Sequence, residues 1–273
     1  MKPLRRQFTI LGCASSPGVP RINGDWGACD PSNPKNRRSR ASFLIRQTGP
    51  DGGQTTAVID TGPDFREQMI ANDVRSIDAV IYSHAHADHV HGIDDLRGFA
   101  LGQRRRMPIH ANAETMMRIR EGFGYCLQTP PGSEYPPIVV PVPIVSLDEP
   151  IMLTGAGGAL PVQPLAQIHG SIRSLGFRIG DVAYCCDVSD FPEETVGRLQ
   201  GLDLLVLDCL QYKPHPSHLS LSQALDWIER LKPRRAILTH MHVPLDYDTV
   251  MRETPAHVEP GHDGLTVTCE VEE

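Results

Sequence analysis

The chain has no apolar run approaching the ~18 residues that a membrane span requires, so no membrane partner is expected. A secretory start is not expected. The basic residues of Met1-Lys2-Pro3-Leu4-Arg5-Arg6 lead into Phe8-Thr9-Ile10-Leu11-Gly12, which is too short for the apolar core of a signal peptide, and a cytoplasmic location is expected. There is no disulfide framework. The seven cysteines (13, 29, 126, 185, 186, 209 and 269) are odd in number and irregularly spaced, with Cys185 and Cys186 adjacent in an apolar run. That usage fits reduced, mostly buried thiols. Excess basic charge is missing too. A net charge of −7 and a pI near 5.9 exclude a general nucleic-acid binder. The two local basic clusters, Lys35-Asn36-Arg37-Arg38-Ser39-Arg40 and Arg104-Arg105-Arg106, read as solvated loops. With no repeat or low-complexity tract either, the 273 residues, 40% hydrophobic and 22% charged, describe a globular chain able to bury a sizeable core.

The most informative stretch is Ser83-His84-Ala85-His86-Ala87-Asp88-His89, directly after the apolar run Ile77 to Tyr82. Residues two apart on an extended segment point the same way, so His84 and His86 can present two imidazoles to one cation. Asp88 and His89 follow once the chain has turned and are free to serve a second cation. Imidazoles beside a carboxylate suit zinc, manganese or iron. A polar loop with chance histidines would leave this cluster without a compensating charge.

The flanking pattern places the stretch in an α/β chain. Strands are predicted at Phe8 to Gly12, Ala41 to Arg46, Thr55 to Asp60, Ile77 to Tyr82 and Met107 to Ala111. Further strands are expected at Ile144 to Leu147, Leu160 to Ile168, Ser174 to Ile179, Val182 to Cys186, Leu202 to Cys209, Arg234 to Thr239 and Leu265 to Val271. Helices are predicted from Thr61-Gly62-Pro63 through Asn72, and over Val90 to Leu101, Ala113 to Glu121, Pro192 to Leu199, Leu219 to Leu231 and Leu245 to Arg252. Cys13 to Pro20 is a turn-rich segment, the long polar loop that follows it to about Arg40 is expected to lie over a site mouth, and 122–143 reads as a lid or insertion. Hairpins early and strand-helix alternation late suggest one domain over 1–273, with two packed sheets and helices outside.

Three more ligand-type residues each follow a predicted strand: His169 after Ile168, Asp187 after Cys186, His240 after Thr239. If those strands share a direction, all three reach the same sheet edge as His84. A carboxylate such as Asp187 has two oxygens and can bridge two cations. Asp190, the competing carboxylate, lies farther from the strand and looks like a helix N-cap before Phe191-Pro192.

The order His84-x-His86-x-Asp88-His89, then His169, Asp187 and His240, resembles the metallo-β-lactamase superfamily from Thr55 to the end of the chain. The resemblance implies an α/β four-layer αββα sandwich with a dinuclear site. His84, His86 and His169 would hold one metal, Asp88, His89 and His240 the other, and Asp187 would bridge. Within the superfamily the likeness is to the phosphoribosyl cyclic phosphate phosphodiesterases of phosphonate breakdown. It rests on Leu11-Gly12-Cys13-Ala14-Ser15-Ser16-Pro17-Gly18-Val19-Pro20, on Asn36-Arg37-Arg38, and on Asp208-Cys209 followed by Ser217-His218. In that family a histidine ahead of the last ligand helps handle the phosphate, and His218 matches its position. Relatives often carry several early-loop cysteines that bind a structural zinc. Here the loop offers only Cys29, so that zinc is not expected.

Two divalent ions, zinc or manganese with iron still in the set, would acidify a bridging water for attack on a phosphorus or carbonyl centre. Asp88 and His218 are the candidate catalytic residues, His218 protonating the leaving group and His215 its near alternative. His91 and His242 are expected to orient ligands or line the mouth, Asp60 to support the ligand loop, and Asp208 to support His218. The expected partner is a small-molecule phosphodiester, with a homodimer as the open assembly. Thioester, lactone or β-lactam hydrolysis and a ribonuclease Z-like activity use the same site, though no lysine- and glycine-rich arm for tRNA is evident. Outside the hydrolases stand a diiron redox protein and a non-catalytic metal-binding module.

Overall fold

A computed structural model describes residues 4–271. Among these residues the strands in chain order are β1 (Leu4–Gly12), β2 (Ser42–Thr48), β3 (Gln54–Ile59), β4 (Ala79–Ile81), β5 (Met107–Ala111), β6 (Val139–Pro143) and β7 (Ile151–Gly155). Then come β8 (Gly158–His169), β9 (Ile172–Ile179), β10 (Val182–Cys185), β11 (Leu204–Asp208), β12 (Arg235–Thr239), β13 (Val258–Pro260) and β14 (Thr266–Val271). The helices are α1 (Phe65–Ala71), α2 (Ala87–Val90), α3 (Leu96–Gln103), α4 (Ala113–Leu127), α5 (Glu193–Arg198), α6 (Leu221–Leu231) and α7 (Tyr247–Glu253). None is long and apolar enough to cross a membrane.

The strands form two seven-stranded sheets, ordered β14-β1-β2-β3-β4-β5-β6 and β13-β12-β11-β10-β9-β8-β7. Alternation along each strand explains why the sheets stack. Phe43 and Ile45 of β2, Ile59 of β3 and Ile81 of β4 face the second sheet and share a core with Leu165, Phe177, Tyr184 and Leu207. Leu44, Val58 and Val80 point the other way, into a core with Phe65 and Met69 of α1, Leu96 of α3 and Ile119 of α4. A sheet buried on both faces has to be apolar at successive positions, as these strands are. Val196 of α5 and Ala224 and Ile228 of α6 join the core of the second sheet. The rings of Phe8, Phe43 and Tyr184 stack at 6.0 and 4.6 Å and tie the sheets together. The result is the four-layer sandwich.

Strand direction decides where the site is. In the first sheet β3, β4 and β5 run parallel. In the second, β10, β11 and β12 are parallel, and β8 has the same direction because β9 is antiparallel to both β8 and β10. The C-terminal ends of β8, β10, β11 and β12 therefore share one edge. Leu175 N–H donates to Ser83 C=O at 3.0 Å and joins that edge to the end of β4.

Several sequence expectations change. No strand forms over 144–147; the strand is β6, inside the stretch read as a lid. Its prolines, Pro141 and Pro143, hid it, and they are tolerated because β6 is an edge strand. Residues 122–127 belong to α4, so only 128–138 of that stretch is irregular. The helix expected over 90–101 is broken into α2, a 3-10 turn at Ile93–Asp95 and α3. Gly92 marks the break: a Cβ there would lie 2.2 Å from the carbonyl oxygen of Gly62. β7 and β13 were not foreseen. The basic clusters are not merely solvated. Arg38 is buried and donates to Leu245 C=O at 2.6 Å, Arg40 pairs with Asp64 at 2.8 Å, and Arg105 pairs with Asp78 at 2.7 Å. Arg106 binds the carbonyls of Leu127 and Val139.

Candidate metal centre

Each candidate ligand is delivered by the end of a strand or by the turn after one. Asp60 follows β3, His84 follows β4 by three residues, and His169 and Asp208 are the last residues of β8 and β11. Asp187 and His240 follow β10 and β12. Asp60, Asp187 and His240 all adopt left-handed backbone, with φ of 65°, 56° and 59°. Aspartate and histidine tolerate that region better than most side chains, so the backbone can turn at the strand end and aim each group inward. His86 then caps the single-turn helix α2, which carries Asp88 and His89 back toward the same spot.

All seven sequence-predicted ligands converge in two groups. The donor atoms of His84, His86, His169 and Asp187 lie within 4.8 Å of one another, as do those of Asp88, His89 and His240. Asp187 divides its oxygens between the groups. Oδ1 faces Nε2 of His169 at 3.7 Å and of His84 at 3.9 Å, while Oδ2 faces Nε2 of His89 at 3.1 Å and of His240 at 3.4 Å. Asp88 Oδ2 completes the second group at 3.4 Å from His89 and 3.8 Å from His240.

A supporting set of hydrogen bonds fixes the rings. Asp60 accepts from Ser83 N–H at 2.8 Å, from Ser83 Oγ–H at 2.7 Å and from His89 Nδ1–H at 2.8 Å. Because Ser83 spends its proton on Asp60, its oxygen accepts from His84 Nδ1–H at 3.0 Å. His169 Nδ1–H donates to Ser217 C=O at 2.7 Å. Three histidines are thereby held with the Nε2 lone pair turned inward, as metal-binding imidazoles require. Asp60 supports the ligand loop as expected, reaching the first group through Ser83 and the second directly through His89. Asp208 likewise holds His218, Oδ2 to Nδ1 at 2.8 Å, and accepts from Leu219 N–H at 3.2 Å.

Burial and charge act differently on the histidines. Burial pushes His84 well below the ordinary histidine range, with the neighbouring imidazoles adding to it, and burial lowers His169 as well. Burial also opposes charge on His89 and His240. There the carboxylates win, led by Asp187, raising His89 well above the usual range and His240 to about 9. The same contacts, chiefly with His240 and His89, hold Asp187 far below the carboxylate range against burial.

The other candidates sort out as follows. His218 joins the cluster, its Nε2 4.0 Å from Asp187 Oδ1 and its ring stacked on His240 at 4.6 Å. His215 stays exposed, bonded to Ser217, with its ring 5.3 Å from that of His218. His91 is exposed against Phe123, and His242 bonds Ser15 and Arg21. Asp190 is not the helix cap it was expected to be. Pro192 occupies that position, and Asp190 instead bridges to Ile168 through its backbone. The turn-rich segment ahead of the early loop reaches the site: Ser16 Oγ–H donates to Asp88 Oδ2 at 2.8 Å. Ser83, Ser16 and Cys186, whose Sγ–H donates to Asp187 Oδ2 at 3.0 Å, were missed. A lone hydroxyl or thiol has no spacing signature by which a sequence could reveal it.

A model described as "Beta-lactamase superfamily domain" matches residues 55–241. The crystal structure of a new diphosphatase from the PhnP family is similar at 35% sequence identity and a TM-score of 0.86, covering 98% of this chain and 99% of that one. The chain belongs to the PhnP family of the beta-lactamase superfamily. The PhnP-family assignment stands beside two more distant likenesses. An octanoyltransferase of Porphyromonas gingivalis is 32% identical over 259 residues, 94% of this chain, and the chain spans only 50% of that protein's length. Zinc-bound PqqB from Methylobacterium extorquens shares the fold at 17% identity and a TM-score of 0.73, covering 96% of this chain and 99% of that one.

Membership makes this a hydrolase site, and the PhnP-family fold implies divalent metal at the edge where the two groups meet. The donor set fits. Nε2 of His89 and both ring nitrogens of His240 are buried without a hydrogen-bond partner, which is costly unless something else satisfies them. Two imidazole nitrogens, His84 Nε2 and His86 Nδ1, also face each other at 2.9 Å. Mixed imidazole and carboxylate donors of this kind suit zinc or manganese.

Proposed function

We propose that the chain hydrolyses a small phosphodiester or diphosphate at a dinuclear metal centre. His84, His86 and His169 would hold one cation, Asp88, His89 and His240 the other, with Asp187 placed between the two groups. The observation that carries this reading is the division of Asp187, with one oxygen facing each histidine group. Zinc or manganese suits both positions. The phosphorus substrate is supported by the similar PhnP-family diphosphatase and by the place of His218 beside the cluster.

Two divalent cations held there would supply an acidified water at neutral pH and would offset the charge that grows on phosphoryl oxygens. The chain's own residues do the rest. Asp60 sets the ring plane of His89 directly and that of His84 through Ser83, so both groups are preorganised rather than assembled on binding. Asp208 occupies Nδ1 of His218 and leaves Nε2 facing the cluster, where it can pass a proton to the leaving oxygen. His215 has no carboxylate partner of this kind and stands back in solvent, so the role falls to His218. Asp88 serves as a ligand of the second group.

The test is a substrate panel on zinc- or manganese-loaded protein: bis(p-nitrophenyl) phosphate, a small diphosphate, a thioester and a lactone. Turnover of the phosphorus esters with little on the acyl compounds is expected. Preferred turnover of the thioester would overturn the substrate class and leave the metal centre standing.

A further inference from the structure

Two adjacent serines at the start of the 13–40 loop reach the two chain segments that build the second ligand group. Ser16 Oγ–H donates to Asp88 Oδ2 at 2.8 Å, and this is the same oxygen that faces His89 and His240. The proton must come from Ser16, because an ionised carboxylate has none to give. Ser15 takes the other side. Arg21 donates to His242 Nε2 at 2.6 Å, so the ring proton sits on Nδ1 and is donated to Ser15 Oγ at 2.9 Å. His242 lies two residues beyond His240, and Met241 N–H donates to Cys13 C=O at 2.7 Å, which lays the loop along the His240 turn.

The loop has two moorings of different character. One holds buried loop residues to the 243–246 segment: Cys29 on the carbonyl of Val243, Arg38 on that of Leu245, and Asn36 on Asp246 at 2.6 Å. The other, residues 15–21, sits at the site, with Ser15 buried and Ser16 exposed. Only this second mooring touches Asp88 and the side chain of His242. Beyond it the chain is open to solvent, with Ile22 fully exposed next to Arg21.

The geometry points to Ser16 as a positioning residue for Asp88, and to the Ser15-Ser16 pair as a clasp that seats the loop when the second ligand group closes on a cation. This rests on the two-metal reading above. Ser16 restricts the Asp88 carboxylate to the rotation that turns Oδ2 toward His89 and His240. Loss of the hydroxyl frees that rotation, so the second position weakens while the first, which has no contact with Ser16, does not. Conversely, a filled second position pins Asp88 and the His240 turn, and the loop mooring with them.

Zinc titration of the full chain tests both directions, with bound metal counted at each step and cleavage of the Arg21–Ile22 bond by trypsin followed by mass spectrometry. In the wild type that bond should be cut more slowly on the second equivalent and not on the first. Ser16→Ala should bind the second equivalent about 10- to 100-fold more weakly, lose the protection and leave the first equivalent unchanged, and Ser16→Thr should restore both properties. A wild type that binds two equivalents while cleavage at Arg21 ignores the second overturns the clasp, as does a Ser16→Ala variant with unaltered second affinity. A wild type that holds a single equivalent removes the two-metal reading itself, and the clasp with it.

Discussion

The two ligand groups on either side of Asp187 use similar side chains and are held by different physics. The first is three imidazoles with one exposed member, His86, and burial keeps His84 and His169 in the neutral form that binds metal. The second is buried and crowded with carboxylate. Asp187, Asp88 and Asp60 overcome burial to favour positive charge on His89, and Asp187 leads the same effect on His240. In the first group burial disfavours charge on the rings; in the second the neighbouring carboxylates favour it. The two groups are therefore asymmetric although their donors look interchangeable in the sequence.

Removing the shared carboxylate should erase the distinction altogether. Asp187→Ala is expected to lose both metals and on the order of 10⁴- to 10⁶-fold in kcat/KM, the loss seen when one member of a unit acting together is removed. His218→Ala should keep both metals and lose about 10²- to 10⁴-fold, as for a proton donor; equal losses in the two variants would break the division of roles. Next in size, His89→Ala should abolish the second equivalent in a metal titration, while His86→Ala, at the exposed corner, should only weaken the first. Both losing the same equivalent would merge the two groups into one. Asp60→Asn tests the shared support. Asparagine also tolerates the left-handed backbone, so a loss of about 10- to 100-fold in affinity at both positions isolates the hydrogen bonds to Ser83 and His89 from strain.

The smallest effect involves a carboxyl that belongs to neither ligand group and serves as a control. Burial raises the Asp263 carboxyl to about 6, against hydrogen bonds from Ser39 and Cys13. A carboxyl that keeps its proton longer when folded stabilises the fold most at low pH, and that contribution falls as pH rises from near 4 through about 6. Urea midpoints across this range should decline in the wild type and flatten in Asp263→Asn, with no change in metal affinity.

The ligands were legible because an apolar strand followed at once by His or Asp is a strong local signal, and Asp60 and Asp208 showed the same pattern. What could not be read were contacts between residues remote in sequence. Arg40 finds Asp64 and Arg38 finds the carbonyl of Leu245, so runs that looked like loose basic loops are fastened. The proline-rich 136–143 stretch hid β6, because an edge strand needs only one bonded side and tolerates residues that a central strand rejects. Ser83, Ser16 and Cys186 were silent for the reason that single hydroxyls and thiols are common everywhere.

Left-handed turns at Asp60, Asp187 and His240 also limit how the protein can diversify. Asn, Asp and His are enriched several-fold in that backbone region, and Gly adopts it freely. Cysteine or glutamate introduced at Asp187 or His240 meets a conformational barrier before its affinity for any ion matters. Drift toward thiophilic metals is thus blocked at these corners by main-chain shape, and a laboratory search for new metal preference will do better at His86, where the chain is extended and open to solvent.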